Sequence, residues 1–305
     1  MSATTSHRED EAIAVAEAMT VSPESPRRRR RSRIGRVRWW TYLLLIVAVL
    51  ACAFPLYWMF VVATAGNAAA HQIPPRLIPG GEGVAIAQLV FTTVPFVQSL
   101  INSAIVATTI GVGTALLCSI AGFAFAKLQF PGRDVLFVLV IITMTVPMQL
   151  AIIPQYMVIS AIGWVDTLQA LIVPGLANAF GIFWMRQHIG STVSDELMQA
   201  AKLDGAGTWQ IFWQIVFPVV RPAAFVLGLL NFVSTWNDFL WPFIVLKTPE
   251  LFTVQLAIRQ LQNSRAIDLG LAMAGSFLAT IPLLIVFFFV GRRLVSGIMD
   301  GAFKG

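Results

Sequence analysis

The sequence predicts an all-α membrane protein of six transmembrane helices, and three observations predict it. Hydrophobic residues make up 57% of the 305 positions, charged residues only 12%, and mean hydropathy is +0.77. A soluble domain carries roughly 25% charged residues, so about half of an ordinary aqueous surface is missing. The apolar residues are gathered into runs near the ~20 residues that cross a bilayer as a helix. Basic residues gather at one end of the chain and at the edges of those runs. Nine of the 21 lie in the first 38 positions, which is a topology signal before it is a nucleic-acid signal.

Taken in order, residues 1–38 are polar and hold the run SPRRRRRSR at Ser25–Arg33. A like-charged run of this kind stays disordered or lies against anionic headgroups, and nucleic acid is not its expected partner. The first span is expected over Trp39–Ala63. Val49-Leu50-Ala51-Cys52 resembles a lipoprotein cleavage box, but the apolar run continues through Phe54, Leu56, Trp58 and Val62. A cleaved signal core ends after roughly 7–15 residues, so an uncleaved span is expected. Residues 64–97, with Pro74-Pro75, Pro79 and Gly80-Gly81, suit an ordered external loop. The second span lies within Ser99–Ala126, and Lys127 and Phe130-Pro131-Gly132-Arg133 make a short basic turn. The third runs about Val135–Val158 across Pro147 and Pro154, and the fourth about Leu168–Ile189 with Pro174, Gly175 and Asn178 inside it. A fifth is expected at Val219–Val245, then a polar stretch Lys247–Asp268, then a sixth at Leu269–Val290 ending in Arg292-Arg293.

With the N-terminus in the cytoplasm, this layout leaves Arg76, Lys247, Arg259 and Arg265 outside and the other 17 basic residues inside. That bias satisfies the positive-inside rule and puts both termini in the cytoplasm. It also puts residues 190–218, between spans four and five, on the cytoplasmic side. Asp195, Glu196, Lys202 and Asp204 fall close together there, so this stretch sits in water. Leu197, Ala200, Ala201 and Leu203 give a short helix an apolar face, and Thr192 or Ser194 can cap its start. Asp204-Gly205 breaks that helix, because glycine enters a left-handed turn at little cost. A second helical run, Trp209–Val216, is expected to stop at Pro218. The result is a helix–turn–helix hairpin at a membrane surface.

The spacing of Gln199-Ala200-Ala201, Gly205 and Ile215-x-Phe217-Pro218 resembles the EAA loop of binding-protein-dependent ABC importer permeases. Two residues depart from the pattern: Gln199 stands where Glu is usual, and Phe217 where Leu is usual. Gln keeps the side-chain length and a hydrogen-bonding oxygen but loses the charge, which puts a salt bridge from this position in doubt. Ser99–Ser103, Phe130-Pro131-Gly132, Pro147 with Pro154, Gly163 with Thr167, Trp236-Asn237-Asp238-Phe239 and Gly301–Gly305 look like the carbohydrate branch of that family, the maltose-transporter type. The resemblance covers roughly residues 39–305 as one transmembrane domain and leaves the Arg-rich tail outside. It implies a bacterial or archaeal plasma-membrane subunit that pairs with a homologous permease, an ATPase dimer and an external solute-binding protein. Glu196, Gln199, Ala200, Ala201, Asp204, Gly205 and Pro218 would then couple to the ATPase, which alone would handle ATP and magnesium.

The residues themselves show no catalytic or metal site. None of the four lysines follows a glycine, so there is no G-x-x-x-x-G-K-[ST] phosphate loop, and His7, His71 and His188 are isolated. No cofactor is expected on this chain, and it is not expected to be an enzyme. Cys52 and Cys118 are far apart within apolar runs, and neither pairing nor metal binding is supported. In span five, Asn231, Ser234, Thr235 and Asp238 recur at helical spacing and share a face. Counting ~1.5 Å per residue from Val219 puts Asn231 ~18 Å and Asp238 ~28 Å in. Asn231, Ser234 and Thr235, with Asn237, are candidates to line a sugar path; interhelical hydrogen bonding is the equal alternative for the first three. Trp236 and Trp241 fit an aromatic belt better than a sugar platform. A stand-alone secondary transporter or channel would need charged relays inside the spans, whose central regions offer mainly Asn, Ser, Thr and Gln, and a membrane enzyme would need clustered His, Asp or Glu at one depth, which is absent. A permease of the same fold for a non-sugar solute stays open.

Overall fold

Residues 38–263 and 268–302 are described in the computed structural model of the chain, and among them every regular element is helical. The Arg-rich tail, Arg265 and the last three residues lie outside the described set. The helices are α1 (Trp39–Ala65), α2 (Asn67–Ala70), α3 (Gly83–Thr93), α4 (Phe96–Lys127), α5 (Arg133–Thr145), α6 (Met148–Ala161), α7 (Gln169–Leu176), α8 (Ala179–Thr192), α9 (Asp195–Leu203), α10 (Thr208–Trp236), α11 (Leu240–Val245), α12 (Val254–Asn263) and α13 (Leu269–Ala302). Two of them, α2 and α3, fold the stretch expected as an external loop, and α12 folds part of the polar stretch before the last span.

Among the described residues, four helices are long and apolar enough to cross a membrane singly: α1, α4, α10 and the Leu269–Phe289 part of α13. The expected third span is a bent pair, α5 and α6, turned by 109°. Pro147 stands between them with extended backbone (ψ 127°) and restricts Val146 to the β region. The expected fourth span is also two pieces, α7 and α8, of 8 and 14 residues. Pro174 sits in the last turn of α7, and Asn178 caps α8 across the gap. The six expected spans therefore do not appear as six continuous helices.

Span five differs at both ends. The helix does not stop at Pro218; it runs from Thr208 to Trp236. A π-helical turn over Phe212–Val216 is the reason, with the Phe217 N–H reaching back to the Phe212 carbonyl. A proline lacks its own N–H and crowds the carbonyl four residues back; a widened turn just before it relieves both problems. At the far end α10 closes at Asn237, whose amide donates to the Val233 carbonyl at 2.8 Å. Asp238 thus lies beyond the helix and does not share the Asn231 face.

Helices α10, α8, α7 and α12 all pack on α4, a helix of 32 residues and ~48 Å. Its middle meets α10 at Gly111 and Gly228, where a Cβ on either glycine would stand 2.8 Å from the other's carbonyl oxygen. Its later turns meet α8 at Gly122, where a Cβ would stand 2.7 Å from that of Met185. Small residues at both crossings let backbones touch, which is how helices associate where lipid is as apolar as leucine. One buried cluster (Cys118, Phe123, Met185, Ile189, Met198, Phe212, Leu227) joins α4, α8, α9 and α10 at one end. Two others hold the opposite half of α4, one against α12 and α13 and one against α6, α7 and α11.

The crossing gives a test. Gly228→Val is expected to cost about 3 kcal/mol and to lower the melting temperature of the detergent-solubilised chain by several degrees. Gly190→Ala, in α8 with open space around it, should leave melting unchanged or raise it slightly. Equal melting of Gly228→Val and wild type would show that the helices do not cross there.

A candidate coupling hairpin and the polar contacts behind it

The hairpin is built as a closed local unit. Ser194 Oγ accepts from the Leu197 N–H at 3.3 Å, so Ser194, not Thr192, caps α9. Asp195 and Glu196 in the first turn and Lys202 in the last complement the helix dipole. At the other end Gly205 takes φ +82°, its N–H donates to the Lys202 carbonyl at 3.1 Å, and the Ala206 N–H donates to that of Ala201 at 3.0 Å. Those two bonds form the Schellman arrangement, which ends a helix with its carbonyls satisfied.

The buried side of α9 is not the side the sequence suggests. Met198 and Ala201 face the core, at 5% and 8% exposure, whereas Leu203 is 89% exposed and Leu197 44%. Leu197 and Leu203 are surplus to the short helix's own packing, which Met198 fills with a longer, flexible side chain. Glu196, Gln199, Ala200, Asp204 and Gly205 are exposed with them, while Ala201 is buried. Just past the turn, Trp209 is 60% exposed beside a buried Phe212, with ring centroids 5.7 Å apart. Pro218 is exposed on the early part of α10. The hairpin therefore presents apolar and polar side chains together on its outer side.

The hairpin is also tied to the bundle. Lys127 Nζ donates to Asp195 Oδ1 at 2.6 Å; the lysine side chain is only 6% exposed and the aspartate 79%. The lysine ends α4 and the aspartate starts α9, a contact that sequence spacing does not reveal. This hydrogen bond, with the lysine's charge, holds the Asp195 carboxyl below its ordinary range.

Deeper in the bundle, Asn231 spends its side chain on neighbours. Asn178 Nδ2 donates to Asn231 Oδ1 at 2.6 Å, and Asn231 Nδ2 donates to the Leu227 carbonyl at 2.9 Å. Asn178 Oδ1 accepts from the Gly181 N–H at 2.7 Å and so caps α8. Of the other path candidates, Ser234 and Asn237 are exposed and Thr235 is half-buried. Beyond the break, Trp241 Nε1 donates to the Ala170 carbonyl at 3.0 Å and ties α11 to α7. Asp166, at φ +65°, accepts from the N–H groups of Lys247 and Thr248 at 2.8 and 3.0 Å and from the Thr248 hydroxyl. Desolvation, the largest single influence, pushes its carboxyl up, but those three donors and the Lys247 charge together outweigh it and hold it low. Asn102 Nδ2 holds the carbonyls of Glu250 and Phe252, and Ser103 Oγ accepts from the Val254 N–H at 2.8 Å. The hairpin and this clasped loop thus lie at opposite ends of α4.

Residues 118–299 match the family described as binding-protein-dependent transport system inner membrane component, a stretch that contains the hairpin and spans three to six. The chain belongs to that family. Among its relatives is the sn-glycerol-3-phosphate transport system permease protein UgpE of Yersinia enterocolitica, 31% identical over 267 residues, covering 85% of this chain and 95% of the relative. The lactose transport system permease protein LacG of Rhizobium radiobacter is 31% identical over 258 residues, covering 85% and 93%. One chain from the crystal structure of a bacterial ABC transporter involved in the import of the acidic polysaccharide alginate has the same fold. Its TM-score is 0.70 at 24% identity, over 83% of this chain and 95% of that one. As a member, this chain is a membrane-spanning transport component, and its relatives are permease subunits rather than enzymes.

The Lys127–Asp195 pair predicts a pH window. A carboxyl held low in the folded state adds stability above its unfolded value of about 3.9 and loses it as pH falls through the folded one. Wild type should protect the α9 amides from hydrogen exchange better than Asp195→Asn, by a constant margin from about pH 8 to 5, shrinking below about pH 4. A margin that instead closes near neutrality would exclude this pair as the anchor.

Proposed function

We propose that this chain is the transmembrane permease subunit of an ATP-driven ABC importer for a sugar or oligosaccharide delivered by an external binding protein. The observation that carries the proposal is the outer side of the hairpin, with Leu197, Gln199, Ala200, Leu203 and Trp209 exposed on a unit anchored at both ends. Leu203 is flanked by Lys202 and Asp204, so its surroundings are aqueous, and an apolar side chain 89% exposed there suits burial against a soluble protein. The occupant proposed is the ATPase, which binds ATP with magnesium; this chain contributes no group to that chemistry. Glu196, Gln199, Ala200, Asp204 and Gly205 would face it, Ala201 would support the face from within, and Pro218 would set the π turn behind it. On this reading the hairpin and both termini are cytoplasmic, a homologous permease completes the pathway, and Ser234, Thr235 and Asn237 line it.

The sugar follows from LacG and from the carbohydrate-type motifs; the relation to UgpE supports a second reading, a small phosphorylated polyol. Uptake of radiolabelled lactose and of sn-glycerol-3-phosphate, each competed with the other unlabelled, separates the two.

Coupling is tested on the native complex. Leu203→Glu places a charge in the docking face without touching the hairpin's own packing, and should lower copurification of the ATPase at least tenfold, about 1.4 kcal/mol. Gly205→Val, which forces a β-branched residue to positive φ, should do the same by deforming the turn. If both variants retain the ATPase at wild-type levels, or if no ATPase accompanies wild type, the importer reading fails.

A further inference from the structure

The hairpin is rooted in two arms. It joins α8 through Val193 and Ser194, and α10 through Asp204–Gly207. The arms lie on α4 at Gly122 and Gly111 and are joined again where Asn178 meets Asn231. Along α4 the Asn178 side of this junction is level with Cys118, whose Sγ donates to the Asn178 carbonyl at 3.5 Å. That level is ~14 Å from Lys127 and ~24 Å from Asn102 at 1.5 Å per residue. Both arms break: span four between α7 and α8 at Ala177-Asn178, beside the junction, and span five between α10 and α11 at Asn237–Phe239, ~9 Å past Asn231. Past the breaks the outer pieces are fastened to each other, by Trp241 to Ala170 and by Asp166 to Lys247 and Thr248. The result is an inner pair of helices and an outer pair, with the Asn178–Asn231 contact just inside the span-four break.

We propose that Asn178 and Asn231 are positioning residues that carry hairpin motion to the break in span four; this rests on the importer reading above. Asn178 does two separable things. Its Oδ1 fixes where α8 begins, and its Nδ2 fixes that start to α10. A displacement of α10 therefore moves the first turn of α8, while α7 stays fastened to α11, and the gap at Ala177 takes up the difference. A contact serving only as glue between helices would not need to sit on a helix cap beside an unwound residue.

The experiment uses the whole complex, purified with its ATPase and partner permease. Spin labels are placed at Gln169→Cys and Gln187→Cys, exposed positions on either side of the break, in a Cys52→Ser background. Inter-label distances are measured nucleotide-free and vanadate-trapped. In wild type the distance distribution shifts on trapping. Asn178→Ser keeps a capping oxygen but cannot reach Asn231, and Asn231→Leu removes the contact and leaves the cap. Each should reduce the shifted-to-unshifted population ratio about threefold, the worth of one interhelical hydrogen bond in lipid. Their ATP hydrolysis should stay within about twofold of wild type, and the double variant should be no worse than either single one. A wild-type distribution that does not shift overturns the proposal, as does a full shift in either variant. Failure of Asn178→Ser to assemble also overturns it, since the contact would then belong to the fold. A wild-type preparation lacking an ATPase instead sinks the importer reading itself.

Discussion

The approach of α4 to α10 at Gly111 and Gly228 is the contact on which the rest of the bundle depends. Lipid offers no hydrophobic reward for helix association, so tight backbone packing and polar contacts must supply it. Once those glycines let α4 lie against α10, its residues fall within reach of everything else that matters. Lys127 reaches Asp195 at one end, Cys118 reaches Asn178 in between, and Asn102 and Ser103 reach the loop before α12 at the other. Larger side chains at the crossing would separate the helices and lengthen each of these contacts.

The second constraint is that broken helices expose backbone groups that hydrocarbon cannot satisfy. The chain meets it locally at each break. Asn178 caps the start of α8, Asn237 closes the end of α10, and Asp166 gathers two N–H groups beyond α11. The π turn before Pro218 is the same kind of solution in another form. It lets a proline sit early in a long helix, so the hairpin runs into span five without a joint. The helix is then continuous from the hairpin as far as Trp236, and the break in this arm lies beyond it.

These solutions explain what was legible in the sequence and what was not. Gly205 after Asp204 states a helix end, and Ser194 before an acidic turn states a start, because capping is settled within a few residues of chain. The same is true of the spans, where composition alone separates lipid-facing runs from loops. The buried face of α9 was not legible, since Leu197 and Met198 are both apolar and the difference lies in which one meets α4 and α10. Pro218 reads as a stop unless the preceding turn widens, and no residue in Phe212–Val216 announces that. Asn178 and Asn231 each stand out as polar residues in apolar spans. Their pairing depends on how two distant helices cross, and Pro174 with Asn178 was the available hint that span four is broken.

The hairpin's outer side points to its environment by elimination. Apolar residues exposed along the spans are accounted for by lipid, and most of the large exposed side chains of α5 and α6 belong to that class. Leu203 does not, because the charged residues Lys202 and Asp204 flank it and both are exposed with it. An apolar side chain so placed gains little from a headgroup region and nothing from water; it gains from a protein groove that also satisfies its charged neighbours. Rigidity matters there as much as composition. The Ser194 cap, the Gly205 turn and the Lys127–Asp195 pair order α9 from within the chain, so the docking proposed above would leave little conformational entropy to be lost. The two arms behind this ordered hairpin meet again at Asn178 and Asn231.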